Sequence, residues 1–145
     1  MEAPLRVLKG RVEKGNGVAS DNLRPIINLI GERICIPKMI EGTLNIRIAE
    51  PYIVPADATI VPPEYLEKLK LKRCRLRGFR CCIMRPEPHE TVPESEAERR
   101  QDALTRLEIM SDCHLRTALT LNNGDPVEIE IDGDEHWWNA PNRTP

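Results

Sequence analysis

The sequence predicts a small, mainly β fold: a barrel of short strands with a few short helices packed on it. Three observations carry that prediction. Several runs alternate apolar and polar residues with the period of a half-buried strand. Thirteen prolines and a single Phe in 145 residues favour many short elements joined by turns over long helices. Helical patterns are too few to cover both faces of an open sheet, which favours closure into a barrel.

The length suits one domain with one core, expected over residues 1–133 with a C-terminal tail at 134–145. The formal net charge of -2 sets up no strong field for nucleic acid or anionic membrane. No apolar run approaches the roughly 18 residues of a membrane span, and MEAPLRVLKG lacks the apolar core of a signal peptide. The cysteines, Cys35, Cys74, Cys81, Cys82 and Cys113, are odd in number and form no CxxC pair. That argues against a disulfide framework and a structural zinc site, and for a reducing, cytoplasmic setting.

The elements follow in order. PLRVLKGRVEK (4–14) alternates loosely and reads as a first strand, and GNGVAS (15–20) as a small-residue turn. NLRPIINLIGER reads as a short helix capped by Asp21 or Asn22, with Pro25 in its first turn and Gly31 as its stop. Leu23, Ile26, Ile27 and Ile30 share one face of it, so it packs on a core. EGTLNIRI (41–48) is a strand with Leu44, Ile46 and Ile48 on one face and Thr43, Asn45 and Arg47 on the other. PYIVPADATIVPP reads as an extended edge, PPEYLEKLK as a helical turn or two, and RCRLRGFRCCIMRP (73–86) as strand around a turn or bulge at Gly78.

EPHETVPESEAERRQDA is the best loop candidate, although Ser95 and Glu98 have capping-box spacing. Periodicity leaves LTRLEIM open between helix and strand. Asp112 is a candidate cap for a short helix HLRTALTL, which NNG ends. DPVEIEIDGD closes the domain with Val127, Ile129 and Ile131 inward and acids outward. The tail carries Trp137 and Trp138, which either pack back, meet a partner or cover a pocket.

Three stretches carry candidate chemistry. Side chains at i and i+2 of a strand share a face, so Thr43 and Asn45 offer two neutral oxygens in one direction. Such a pair suits Mg²⁺ arriving on a nucleotide, or is merely a solvent face. Gly15 and Gly17 permit the close backbone approach of a phosphate nest ahead of a helix N-terminus, or a plain turn. In LEIMSDCHLR, Glu108 is a candidate for orienting or deprotonating a hydroxyl and Arg116 for holding phosphate or a base. His89, His114 and His136 lie far apart with no ligand spacing, and Cys81-Cys82 reads as buried strand. The basic run Lys70, Lys72, Arg73, Arg75, Arg77, Arg80 and Arg85 has only Phe79 among it, which favours a solvated strand face over a nucleic-acid platform.

In this order the pieces resemble the CTP-dependent riboflavin kinases first known from archaea. The resemblance runs over roughly residues 6–133 and rests on GRVEKGNGVAS, the short helix with its early proline, Gly42-Thr43-Leu44-Asn45, Leu-Glu-Ile before Cys113-His114-Leu115-Arg116, and LNNGDPVEIEI. It implies a six-stranded cradle-loop β-barrel that transfers phosphate from CTP to the riboflavin 5′-hydroxyl, giving FMN and CDP. By position, Thr43 and Asn45 match the family's Mg²⁺ ligands. Gly15, Asn16, Gly17, Val18, Ala19 and Ser20 match its first nucleotide-binding turn, and Cys113, His114, Leu115 and Arg116 its second. Glu108 matches the carboxylate at the flavin.

The chain also departs from the pattern. Its turn reads GNGVA where the family favours GLGEG, and the flavin-contacting Thr is replaced by RPEPHETVPES, in which Thr91 is the candidate substitute. The same nucleotide chemistry on another small hydroxyl acceptor is therefore a second expectation. A non-catalytic barrel binding nucleotide, flavin or DNA is a third.

Overall fold

The chain's structure, a computed structural model, describes residues 5–15, 23–61, 63 and 67–142. Among them are seven strands: β1 (Arg6–Glu13), β2 (Leu44–Ile48), β3 (Ala58–Ile60), β4 (Leu69–Leu76), β5 (Phe79–Pro86), β6 (Arg106–Met110) and β7 (Pro126–Ile131). The helices are α1 (Ile27–Ile34), α2 (Ala97–Thr105), α3 (Leu115–Ala118) and α4 (Glu135–Asn139), with 3-10 turns at Arg24–Ile26 and Glu87–Glu90.

Every strand pairing is antiparallel. Neighbours run β3-β4-β5-β6-β2-β1-β7, and a further β4–β7 pairing sets Arg75 opposite Glu130 and Leu76 opposite Ile129. Six strands thus close into a barrel, as the sequence predicts, and β3 is added outside on β4. Closure removes most of the exposed sheet edge.

Period-two alternation builds the interior. Val12, Leu44, Ile46, Ile48, Cys74, Leu76, Cys81, Ile83, Leu107, Ile109, Val127, Ile129 and Ile131 form one buried cluster inside the barrel. A second cluster lies outside the wall, where Leu23, Ile26, Ile30 and Ile34 pack on Leu69, Leu71, Cys82, Met84 and Met110. Strands β4 and β5 are therefore covered on both faces. That is why β5 is buried at every position but Arg80 rather than at alternate ones.

Several expectations are corrected. Gly31 does not stop the helix, which runs on to Ile34 and ends at Cys35 in the left-handed region, φ 63°. The glycine instead admits the returning chain: a Cβ there would lie 2.7 Å from the Ile36 carbonyl oxygen. The proposed caps Asp21 and Asn22 lie outside the described residues. The expected loop holds only at 91–96: residues 87–90 are a 3-10 turn and 97–105 are α2, and strand begins at Arg106, which divides LTRLEIM between both readings. No side chain caps α2, so the Ser95–Glu98 spacing is not used. Of PPEYLEKLK, Leu69 opens β4 rather than extending a helix. Asp112 caps nothing, because α3 starts later, at Leu115, behind His114.

The basic run is solvated only in part: Arg77 is exposed and Lys70, Arg73 and Arg80 are half-buried. Lys72, Arg75 and Arg85 are buried. Lys72 pairs with Asp132 at 2.7 Å. Arg85 donates to the Tyr52 and Arg106 carbonyls and pairs with Glu90 at 3.1 Å. Arg75 donates to the carbonyls of Trp137, Trp138 and Ala140, closing the C-terminal end of α4. These strands turn polar side chains toward elements that pack over the barrel. Gly78 does form the turn, with Arg77 at φ 48° and Gly78 at φ 85°, both positive as a two-residue hairpin requires.

The segment after β7 packs back on the barrel. Asp134 accepts from the Trp137 amide at 2.8 Å and starts α4. Trp138 is buried in the outer cluster, with the Arg73 guanidinium 4.8 Å from its ring centroid. Of the three alternatives for the tryptophans, packing back describes Trp138.

Candidate functional site

Among the described residues, one cleft gathers most of the sequence candidates. It has a volume of about 270 Å³ and is lined by Gly15, Gly42, Thr43, Asn45, Cys113, His114, Leu115 and Arg116, together with Ile40, Glu41, Leu44, Ile109 and Ser111. The barrel's register is what brings these residues together. β1 ends at Glu13 directly opposite Asn45, so the chain leaving β1 passes Asn45 at once. The approach is tight: a Cβ on Gly15 would lie 2.3 Å from Asn45 Nδ2. Only glycine fits there without displacing the amide. Asn16, Gly17, Val18, Ala19 and Ser20 lie outside the described residues.

β6 supplies the carboxylate. Glu108 stands opposite Asn45 in the β2–β6 ladder, and cross-strand partners bring Cβ atoms within about 4.5–5.5 Å. Thr43 Oγ1 donates to Glu108 Oε1 at 3.3 Å. Burial pushes the Glu108 carboxyl above its ordinary range, against the opposing pull of the Thr43 hydrogen bond and the nearby Arg106 charge. A carboxylate tuned upward is a better proton acceptor near neutral pH.

The opposite bank comes from the chain around α3. Ser111 Oγ donates to the Arg80 carbonyl at 2.8 Å, which ties the end of β6 to β5. Burial raises the Cys113 thiol, so this residue is a neutral lining group rather than a thiolate. His114 Nδ1 lies 2.8 Å from Thr117 Oγ1. Arg116 is braced at both ends, by the Asn123 Oδ1 at 3.0 Å and the Glu13 carbonyl at 3.1 Å. Its charge is fixed at the lip of the cleft beside the end of β1.

The donor set suits a hard divalent cation. Thr43 donates a hydrogen bond to Glu108 and keeps its oxygen lone pairs, and Asn45, whose side chain carries an amide oxygen, lines the same cleft. Mg²⁺ takes oxygen ligands of this kind and is commonly completed by water and phosphate. Thr43 and Asn45 therefore fit such an ion.

Thr91 is not brought to this cleft. It is exposed, and its hydroxyl donates to the Pro88 carbonyl at 3.1 Å, closing the 3-10 turn that precedes α2. Sequence reasoning also passed over two residues beside the cleft, Glu13 and Arg47, which form an ion pair at 2.9 Å. Period two does put Arg47 on the Asn45 face, but its partner becomes visible only once the β1–β2 register is known.

No family model matches the chain. Over 65 residues it is 36% identical to a riboflavin kinase of Methanoculleus marisnigri. That stretch covers 42% of this chain and 22% of the relative, so the chain matches about a fifth of that protein's length.

Proposed function

We propose that the chain is a phosphotransferase that moves a phosphoryl group from CTP to the 5′-hydroxyl of riboflavin, giving FMN and CDP. The observation that carries the reading is the convergence of Thr43, Asn45, Gly15 and Arg116 in one cleft, with Glu108 hydrogen-bonded to Thr43. The similarity to a riboflavin kinase over 65 residues supports the acceptor class. The order of GNG, GTLN and CHLR supports CTP as donor.

Phosphoryl transfer asks a protein chiefly for alignment and charge stabilisation. Arg116, held by Asn123 and the Glu13 carbonyl, presents a fixed positive charge to the phosphates. The backbone at Gly15 approaches them without a side chain in the way. Thr43 and Asn45 would hold Mg²⁺ delivered with the nucleotide, which when bound neutralises charge on the phosphate oxygens. Glu108 aligns the acceptor hydroxyl and takes its proton, a role favoured by its raised affinity for protons.

The test is FMN formation from riboflavin, CTP and Mg²⁺, in the wild type and in the Thr43→Ala, Asn45→Ala double variant. The double variant keeps its fold and loses turnover. Full activity in it refutes the metal assignment.

A second reading keeps the donor chemistry and changes the acceptor. It is favoured by Thr91, the candidate flavin contact, which is tied to Pro88 away from the cleft. A panel of small hydroxyl compounds with CTP, ATP and GTP separates the two: turnover of another acceptor at riboflavin's expense selects the second.

A further inference from the structure

We infer that Arg47 is a positioning residue for the nucleotide, joining helix α2 to the strand end that carries Gly15 and braces Arg116. The inference rests on the nucleotide reading of the cleft and adds a role for helix α2, whose Asp102 and Thr105 Arg47 contacts.

Arg47 sits at the centre of four contacts. Its Nε donates to Glu13 Oε1 at 2.9 Å, and its Nη1 to the Asp102 carbonyl and to Thr105 Oγ1, each at 2.9 Å. Its Nη2 pairs with Asp102 Oδ1 at 3.0 Å. The side chain is 32% exposed, and the adjoining carboxylates raise its already high proton affinity, Glu13 first. The planar guanidinium spreads its donors between Glu13 on one side and α2 on the other; a lysine ammonium has three N–H donors but gathers them on one compact nitrogen and lacks that fixed spread.

Glu13 makes the connection to the cleft. Arg47 holds its carboxylate, while its carbonyl accepts from Arg116 Nη2 at 3.1 Å. Its backbone is also the register partner of Asn45 and leads through Lys14 to Gly15. The Glu13 residue thus meets Arg116 and Asn45 and lies two residues before Gly15. A shift of its backbone displaces all three, and geometry errors near 1 Å cost phosphoryl transfer as much as about a hundredfold.

Arg47 and Asp102 line no part of the cleft, so their effect on nucleotide runs through Glu13. A merely structural role predicts a lower melting temperature and nothing particular to CTP. A positioning role predicts a change in the handling of CTP with riboflavin left alone.

The experiment compares the wild type with Arg47→Lys, Arg47→Gln and the milder Asp102→Asn. Calorimetry with CTP and Mg²⁺ and steady-state kinetics in both substrates are read beside the melting temperature. Arg47→Lys and Arg47→Gln are expected to weaken CTP about tenfold or more, with the riboflavin KM unchanged, and Asp102→Asn by a smaller factor in the same direction. Hydrogen exchange without nucleotide reads the same strut: Arg47→Gln should speed exchange at 13–15, 97–105 and 114–124 and leave β4 and β5 as they were. If the wild type binds CTP with Mg²⁺ and the Arg47 variants match it, the inference is overturned and the proposed function stands. Unchanged local exchange in Arg47→Gln overturns it too. A wild type indifferent to CTP with Mg²⁺ overturns the proposed function and with it the strut's role toward nucleotide.

Discussion

Glu90→Ala should be among the most destabilising single changes in the chain. The Glu90 carboxylate is 6% exposed and accepts from Lys70 Nζ, from the Val54 amide at 2.7 Å and from Arg85 Nη1 at 3.1 Å. Arg85 is 1% exposed and ties Tyr52, Leu104 and Arg106 through their carbonyls, so Glu90 neutralises a guanidinium that cannot reach water. Removing one partner of a buried pair leaves an uncompensated charge and costs about 3–5 kcal/mol. For a domain of this size that is a fall of about 6–20 °C in melting temperature.

Burial alone would raise the Glu90 carboxyl, but Lys70, the Val54 amide and Arg85 outweigh it and hold it below the ordinary value of 4.5. A depressed carboxyl contributes stability that is full above the unfolded value and is lost as pH falls through the folded one. The gap between wild type and Glu90→Ala, measured by urea unfolding followed by circular dichroism, should therefore be constant near neutrality. It should narrow as the pH drops below about 4.5. A loss under about 1 kcal/mol at pH 7, the size of a surface ion pair, would refute the reasoning.

Two more predictions concern single groups. Among the described residues the Tyr52 hydroxyl is a buried polar atom with no hydrogen-bond partner; Tyr52→Phe should leave the melting temperature unchanged or raise it, by about 1 kcal/mol of stability, and a clear loss would reveal a partner for that hydroxyl. Glu108→Gln should lower kcat about 10²–10⁴-fold. Burial raises the Glu108 carboxyl, so wild-type kcat should rise with pH through a limb above the ordinary glutamate range. In the variant that limb should vanish, and a wild-type-like pH profile there would remove Glu108 as the base.

What the sequence made legible was whatever rests on local pattern. The alternation in β7 and β2 is read directly, because each strand has one face inside the barrel. The ordered GNG, GTLN and CHLR pieces do converge in so far as they are described, with Gly15, Thr43, Asn45 and Cys113–Arg116 lining one cleft. Features set by tertiary approach were hidden. Gly31 reads as a helix stop, yet it serves the passage of Ile36. Arg73 and Arg75 read as wetted because nothing local says that α1 and α4 will cover that wall, and Arg85 because nothing local brings Tyr52 and Glu90 to it. Glu13, Arg47 and Asp102 become one network only through the β1–β2 register and the docking of α2. Each is an ordinary charged residue in the string of letters.

The central claim is that a nucleotide docks where Thr43, Asn45, Gly15 and Arg116 meet. Titration calorimetry of the chain with CTP, with and without Mg²⁺ and followed by riboflavin, addresses it most directly. The account predicts CTP binding that requires Mg²⁺, a further heat on adding riboflavin, and loss of the Mg²⁺-dependent part in the folded Thr43→Ala, Asn45→Ala variant. No heat with CTP and Mg²⁺, or identical binding by that variant, would contradict it.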